Sequence, residues 1–194
     1  MKLNSDARED FCAYSDLLQT TLKEFDWDRV SLLANDIFKC WQERRHVFLC
    51  GNGGSAGNAI HLANDFVYGV AKRHGGGIRA TALPANSSVL TCLGNDLGYD
   101  EIFSEQLAVA GDDGDLLIVL SGSGNSPNII RALEQAKESG IKSYAILGYE
   151  GGRAKDLADV SLHFQVQDMQ IAEDTQLIVG HMIMQWLYKN RPQV

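Results

Sequence analysis

Apolar positions along the chain change their period twice. Phe11, Tyr14, Leu18, Leu22 and Phe25 recur at three- and four-residue steps, and Val30, Leu33, Ile37 and Trp41 repeat the pattern after a break at "DWD". Both stretches read as amphipathic helices that come before any strand. An arm so rich in large apolar groups needs a surface to bury against, either its own domain or another subunit. From His46 the texture changes to short runs, "HVFLCG", "IRATALP", "DLLIVLSG", "SYAILGY" and "VSLHFQV". Most are continuously apolar rather than alternating, which predicts strands covered on both faces. Helical segments fall between and after them: Ser55 to about Val70, Ser126 to Ser139, a short piece near Ala154 to Leu157, and about Ile171 to Tyr188. Strand and helix alternating in this way predict an α/β fold, a three-layer αβα sandwich around a five-stranded parallel sheet with an N-terminal helical arm. The expected organisation is one domain over residues 1–194, with residues 1–44 as the arm and 45–194 as the core and C-terminal helix.

Composition narrows the function classes. An apolar fraction of 45% with 22% charged residues is that of a folded globular chain. The formal charge of -8 argues against a general nucleic-acid or anionic-membrane surface, though not against a small anion held by backbone N–H groups. The four cysteines, Cys12, Cys40, Cys50 and Cys92, show no C-x-x-C spacing and read as reduced thiols. The opening "MKLNSDARED" lacks the apolar core of a signal peptide, so a cytoplasmic protein is expected.

Two loops carry chemistry. Gly51-Asn52-Gly53-Gly54-Ser55 follows the first predicted strand, and Ser121-Gly122-Ser123-Gly124-Asn125-Ser126 follows the third. In open parallel sheets, ligands bind beyond the carboxyl ends of the strands. Glycine lets the backbone approach an anion, serine adds hydroxyl donors, and the following helix adds the positive end of its dipole. Flexible connectors are the plainer reading of each loop alone, but two of one kind at one edge favour a phosphate cradle. Neither loop has P-loop or G-x-G-x-x-G spacing, so the phosphate belongs to something smaller than a dinucleotide. His61 and Asp65, four apart on the helix leaving the first loop, share one helix face. His181 lies on the last helix with Glu173 eight residues before it, and His with carboxylate suits zinc or a similar divalent ion.

The motifs "CGNGGSAGNAIH", "LTCLGNDLGYDEIFSEQ", "GDLLIVLSGSGNSPNII" and "ILGYEGG" resemble the sugar isomerase (SIS) domain family, whose sheet is flavodoxin-like. Within it they most resemble the phosphoheptose isomerase group, which converts sedoheptulose 7-phosphate to glycero-manno-heptose 7-phosphate. The resemblance implies a cytoplasmic homotetramer acting on a sugar phosphate, with zinc held by His61, Asp65, Glu173 and His181. It implies Asp65 as base and His181 as proton donor, acting through an enediolate. The sugar and its phosphate would be bound by Asn52, Gly53, Gly54, Ser55, Asn95, Asp96, Ser121, Gly122, Ser123, Ser126 and Glu173.

Four positions depart from the group's pattern. Asp65 stands for Glu, Glu173 for Gln, Gln170 for Asp, and Gly69 lies near the place of a substrate-facing Arg, with Lys72 and Arg73 as possible substitutes. A straight helix rises about 12 Å over eight residues, so Glu173 and His181 share one ion only with long reach or across subunits. Two other readings stay open: a phosphosugar-sensing or partner-binding module without turnover, and an isomerase for a different phosphosugar. The presence of all four His and acid positions favours an enzyme.

Overall fold

Five short apolar runs assemble into one parallel sheet: β1 (His46–Gly51), β2 (Arg79–Ala82), β3 (Leu116–Ser121), β4 (Lys142–Leu147) and β5 (Val160–His163), in the order β2-β1-β3-β4-β5. The coordinates are a computed structural model that describes residues 7–192; residues 1–6 of the expected arm and of the segment inspected for a leader lie outside the described residues. β3 is buried along its whole length, and β1 and β4 are buried after their first residue. The edge strands β2 and β5 are more exposed. Continuous apolar character thus belongs to the strands that have helices on both faces.

Alternate residues of the central strands serve two cores. Val47, Leu49, Ile118, Leu120, Tyr144 and Ile146 face α2 (Asp28–Glu43), α3 (Gly54–Asn64) and α8 (Met169–Lys189), packing on Leu33, Ile37, Leu62, Val179 and Ile183. Phe48, Cys50, Leu117, Val119, Ala145 and Leu147 face the other layer, where α6 (Pro127–Glu138) supplies Ile129, Ile130 and Leu133. Each fully buried Val, Leu, Ile or Phe among them contributes about 1.5–3 kcal/mol relative to exposure, so the interleaved faces hold the loops at the strand ends firmly.

Two helices went unread in the sequence, α4 (Ser87–Asp96) and α5 (Ser104–Ala110). α4 fully buries none of its side chains, and its apolar face is the short one of Leu90 and Leu93, half-buried against the second core; its local signal is Asn86, whose side chain caps the first turn by accepting from the Val89 N–H at 3.3 Å. The remaining short helix, α7, spans Ala154–Leu157.

The arm divides in its contacts. α1 (Ala7–Lys23) has no buried residue. Leu18 packs on Val166, Ile171 and Ala172, and Leu22 and Phe25 pack on the main core, with the Phe25 ring stacked on Phe164 at 3.9 Å between centroids. Tyr14 donates a hydrogen bond to Asp174 Oδ2 at 2.6 Å, fastening α1 to the first turns of α8. Phe11, at 73% exposed, and Leu17 point away from the domain. Among the described residues of α1, the chain's own core therefore packs mainly on the second half.

Candidate active site

The strand order has its switch point between β1 and β3: the chain leaves β1 for β2 on one side and β3 for β4 on the other. Gly51 pairs with Leu120 in register, so the loops that follow start side by side, and an open α/β sheet binds ligands in the crevice at such a point. Gly53 (φ 55°) turns the first loop into α3, and Gly124 (φ 65°) turns the second toward α6. A Cβ at position 124 would also collide with the Gly151 carbonyl, so this turn requires glycine twice over.

Between the loops lies a cavity of about 260 Å³. Asn52, Gly53, Gly54 and Ser55 line it from the first loop, Ser121, Gly122, Ser123 and Ser126 from the second, and Met169 and Glu173 from α8. Hydrogen bonding holds three of its serines in place. Ser55 Oγ accepts from Gln176 Nε2 at 3.1 Å, Ser121 Oγ from the Gly124 N–H at 3.1 Å, and Ser123 Oγ from the Asn125 N–H at 3.3 Å. Each of these oxygens keeps one acceptor site and its hydroxyl proton, and the proton is the group an anion can take. The N-terminal ends of α3 and α6 add partial positive charge, so the cavity suits an anionic oxygen cluster. Glu173 is the exception. Its carboxylate lies over Gly54, where a Cβ would strike it, and brings an acceptor to one side of the cavity.

A second polar cluster lies further along the same helices. His61 Nε2 and His181 Nε2 are 2.8 Å apart, and Asp65 Oδ2 is 3.5 Å from the first and 3.7 Å from the second. Asp65 opens a π-helical turn, Asp65–Gly69, at the end of α3, a feature frequent at functional sites. Its side chain is 15% exposed, against 49% for His61 and 43% for His181. Among the described residues, ligand atoms of His61, Asp65 and His181 all lie within 4.8 Å of one another. Two imidazoles and one carboxylate with an exposed side fit a divalent ion that keeps an open coordination position. A larger cavity of about 350 Å³, walled by Val30, Ala34, Met182, Ile183 and Trp186 between α2 and α8, has no such converging acids and bases.

α3 and α8 run parallel, and their contacts follow one another in order. Gly54 meets Glu173, Asn58 donates to the Glu173 carbonyl at 3.0 Å and to Gln176 Oε1 at 2.9 Å, Leu62 packs on Gly180, and His61 meets His181. The seam thus carries the cavity at one end and the histidine cluster at the other. Seven helical residues separate Gly54 from His61, a rise of about 10 Å.

The expected site residues fall into three groups. The loop residues and Glu173 surround the cavity; His61, Asp65 and His181 meet beyond it. Glu173 stands outside that metal-type group, because it lies two helical turns before His181 and its carboxylate rests on Gly54. Asn95 and Asp96 lie at the end of α4, exposed and outside the cavity lining, with Asp96 accepting from Asn95 Nδ2 at 2.8 Å and from Cys92 Sγ at 3.6 Å. Of the other three histidines, His46 bonds with Thr81 Oγ1 and His163 with the Tyr149 carbonyl, and His74 lies in the loop before β2. Burial pushes the Cys50 thiol far up, which removes it as a nucleophile. Sequence reasoning missed Asn58, Gln176, Asn128 and Tyr99, which hold the site's side chains from behind. Polar residues in this role carry no periodic signal.

Comparison with known proteins places this geometry. Residues 10–148 match the SIS domain family. Over 180 residues the chain is 38% identical to a phosphoheptose isomerase of Chlorobaculum parvum, covering 89% of this chain and 83% of that protein. The solved structure of phosphoheptose isomerase from Neisseria gonorrhoeae superposes with a TM-score of 0.87 at 27% identity, over 95% of this chain and all (100%) of that one. A phosphoheptose isomerase from Francisella tularensis shares the fold at a TM-score of 0.88 and 23% identity, over 95% and 100% of the two chains.

Proposed function

This chain belongs to the phosphoheptose isomerase group of the SIS domain family, and on that premise we propose that it converts sedoheptulose 7-phosphate to D-glycero-D-manno-heptose 7-phosphate. The observation that carries this reading is the shared seam. A donor-lined cavity and a pair of imidazoles with a carboxylate lie about two helical turns apart along α3 and α8. An acyclic sugar of several carbons spans a separation of that order, with its phosphate at one end and its carbonyl at the other.

Aldose–ketose isomerisation moves a proton between neighbouring carbons through an enediolate. Ser55, Ser121, Ser123 and Ser126, with Asn52 and the helix ends, hold the phosphate, and that remote binding energy orients the reacting carbons. Asp65 takes the proton from one carbon, and His181 delivers one to the adjacent carbon or oxygen; each such group contributes about 10²–10⁴-fold. His61 lies against the His181 ring nitrogen and orients it. Glu173, an acceptor at the cavity edge, meets sugar hydroxyls rather than phosphate oxygens. A divalent ion such as zinc, held by His61, Asp65 and His181, supplies Lewis-acid polarisation of the carbonyl when bound.

The open apolar face of the arm (Phe11 and Leu17) and exposed Met182 and Trp186 on α8 support association of identical chains. The proposal is a homotetramer, and a monomeric mass by light scattering would overturn that part. A cytoplasmic location is also proposed, supported by four free cysteines. The test of the function is a screen of C5 to C7 ketose phosphates for isomerisation with and without zinc. Turnover of the C7 substrate is expected; turnover of none would favour a phosphosugar-binding module instead.

A further inference from the structure

We infer that Asn128 and Tyr99 are positioning residues that lock the Asn52 side-chain amide as a hydrogen-bond donor to the bound anion. Asn52 lines the cavity. Its Nδ2 donates to Asn128 Oδ1 at 2.9 Å, and its Oδ1 accepts from Asn128 Nδ2 at 2.8 Å, a reciprocal amide pair. The Tyr99 hydroxyl donates to the same Asn52 Oδ1 at 3.1 Å.

An amide oxygen has two acceptor sites and an amide nitrogen two protons. Both acceptor sites of Asn52 are taken, and one proton is used. The second N–H is the remaining polar capacity of this side chain, and a phosphate oxygen, which can only accept, complements it. Asn128 is suited to hold this orientation. It is 1% exposed, on the first turn of α6 directly after Pro127, and so has no water to exchange for its partner. Leaving a buried amide unpaired is costly, which keeps the pair closed. The pair also bridges the two loops across the switch point, tying the β1 loop to the helix that leaves the β3 loop. Tyr99 reaches the site from the 3-10 turn Tyr99–Glu101 and is 62% exposed, so its hydroxyl can be removed without opening the core.

The inference rests on the reading of the cavity as a phosphate site, and the experiment separates the two. Inorganic phosphate binding is measured by calorimetry on wild type, Tyr99→Phe, Asn128→Leu, Asn52→Ala and the Asn52→Ala/Tyr99→Phe double variant. Losing one of the two clamps at Asn52 is expected to weaken phosphate about fivefold in Tyr99→Phe, with an unchanged thermal midpoint and a parallel rise in KM for the ketose phosphate. Asn128→Leu is expected to weaken it further. In the Asn52→Ala background the Tyr99 change should have no additional effect, an outcome a purely structural tyrosine would not produce. Equal phosphate affinity in wild type and Tyr99→Phe, or an equal Tyr99→Phe effect with and without Asn52, would overturn the inference. If Asn128→Leu does not fold, the Tyr99 cycle alone decides. A wild-type protein that does not bind phosphate overturns the reading of the cavity itself, and the inference with it.

Discussion

His61 and His181, 120 residues apart in the chain, bring their Nε2 atoms within 2.8 Å, and Gly180 makes the approach possible. A Cβ at position 180 would collide with the Leu62 side chain, so the missing side chain lets α8 sit close against α3. Replacing Gly180 with Val is expected to push the helices apart and cost about 1–3 kcal/mol of stability. It should also lower zinc affinity at least about tenfold, since ligand groups separated by even a fraction of an ångström lose their geometry. Denaturant midpoints and zinc competition against a chromophoric chelator measure the two effects; unchanged zinc affinity in a folded variant would separate the histidine contact from metal binding.

Asp65→Asn keeps the shape of the side chain and removes its basicity. Turnover should fall by about 10²–10⁴-fold while circular dichroism and phosphate binding stay near wild type. An active Asp65→Asn enzyme would remove Asp65 as the base.

Exhaustive chelation should abolish isomerisation, and stoichiometric zinc should restore it. Equilibrium dialysis should find bound zinc in the wild type and its loss in His61→Ala and His181→Ala. Zinc retained by both variants would point to ligands elsewhere.

Glu173 places a carboxylate at the rim of an otherwise donor-lined cavity. Glu173→Gln should tighten inorganic phosphate by about fivefold, the size of a like-charge contact of about 1 kcal/mol in a well-solvated site. The gain should shrink as salt is raised. Weaker phosphate binding would mean that Glu173 supports the anion instead, as a partner to the donors around it.

Tyr14 donates to Asp174 at 2.6 Å, and its partial burial together with that carboxylate raises the phenol from 10.0 to about 12. The folded phenol holds its proton more tightly than the unfolded one, so its stabilising contribution is complete below pH 10 and disappears as pH rises toward 12. Thermal midpoints of wild type should therefore fall more steeply between pH 10 and 12 than those of Tyr14→Phe. Parallel curves would mean that the arm is held by Leu18, Leu22 and Phe25 alone.

Much of this molecule was legible in its sequence because burial is periodic. Continuous apolar runs marked β1, β3 and β4 as strands covered on both faces, and the glycine-serine loops after β1 and β3 marked the two segments that line the cavity. His61 and Asp65 share a helix face by local spacing alone. α4 escaped notice because its apolar face is short, with only Leu90 and Leu93 half-buried against the core. The rest depended on how distant elements pack. Strand order decided that the two loops start as neighbours. The close crossing at Leu62 and Gly180 decided that His181 joins His61 and Asp65, while Glu173 rests on Gly54. The amide pair of Asn52 and Asn128 arises only when α6 leaves its strand beside α3. Local spacing fixes which face a residue shares with its near neighbours along the chain. Polar groups from separate helices meet only where backbones approach, and that approach is set by the side chains, or the lack of one, at contacts far away in sequence.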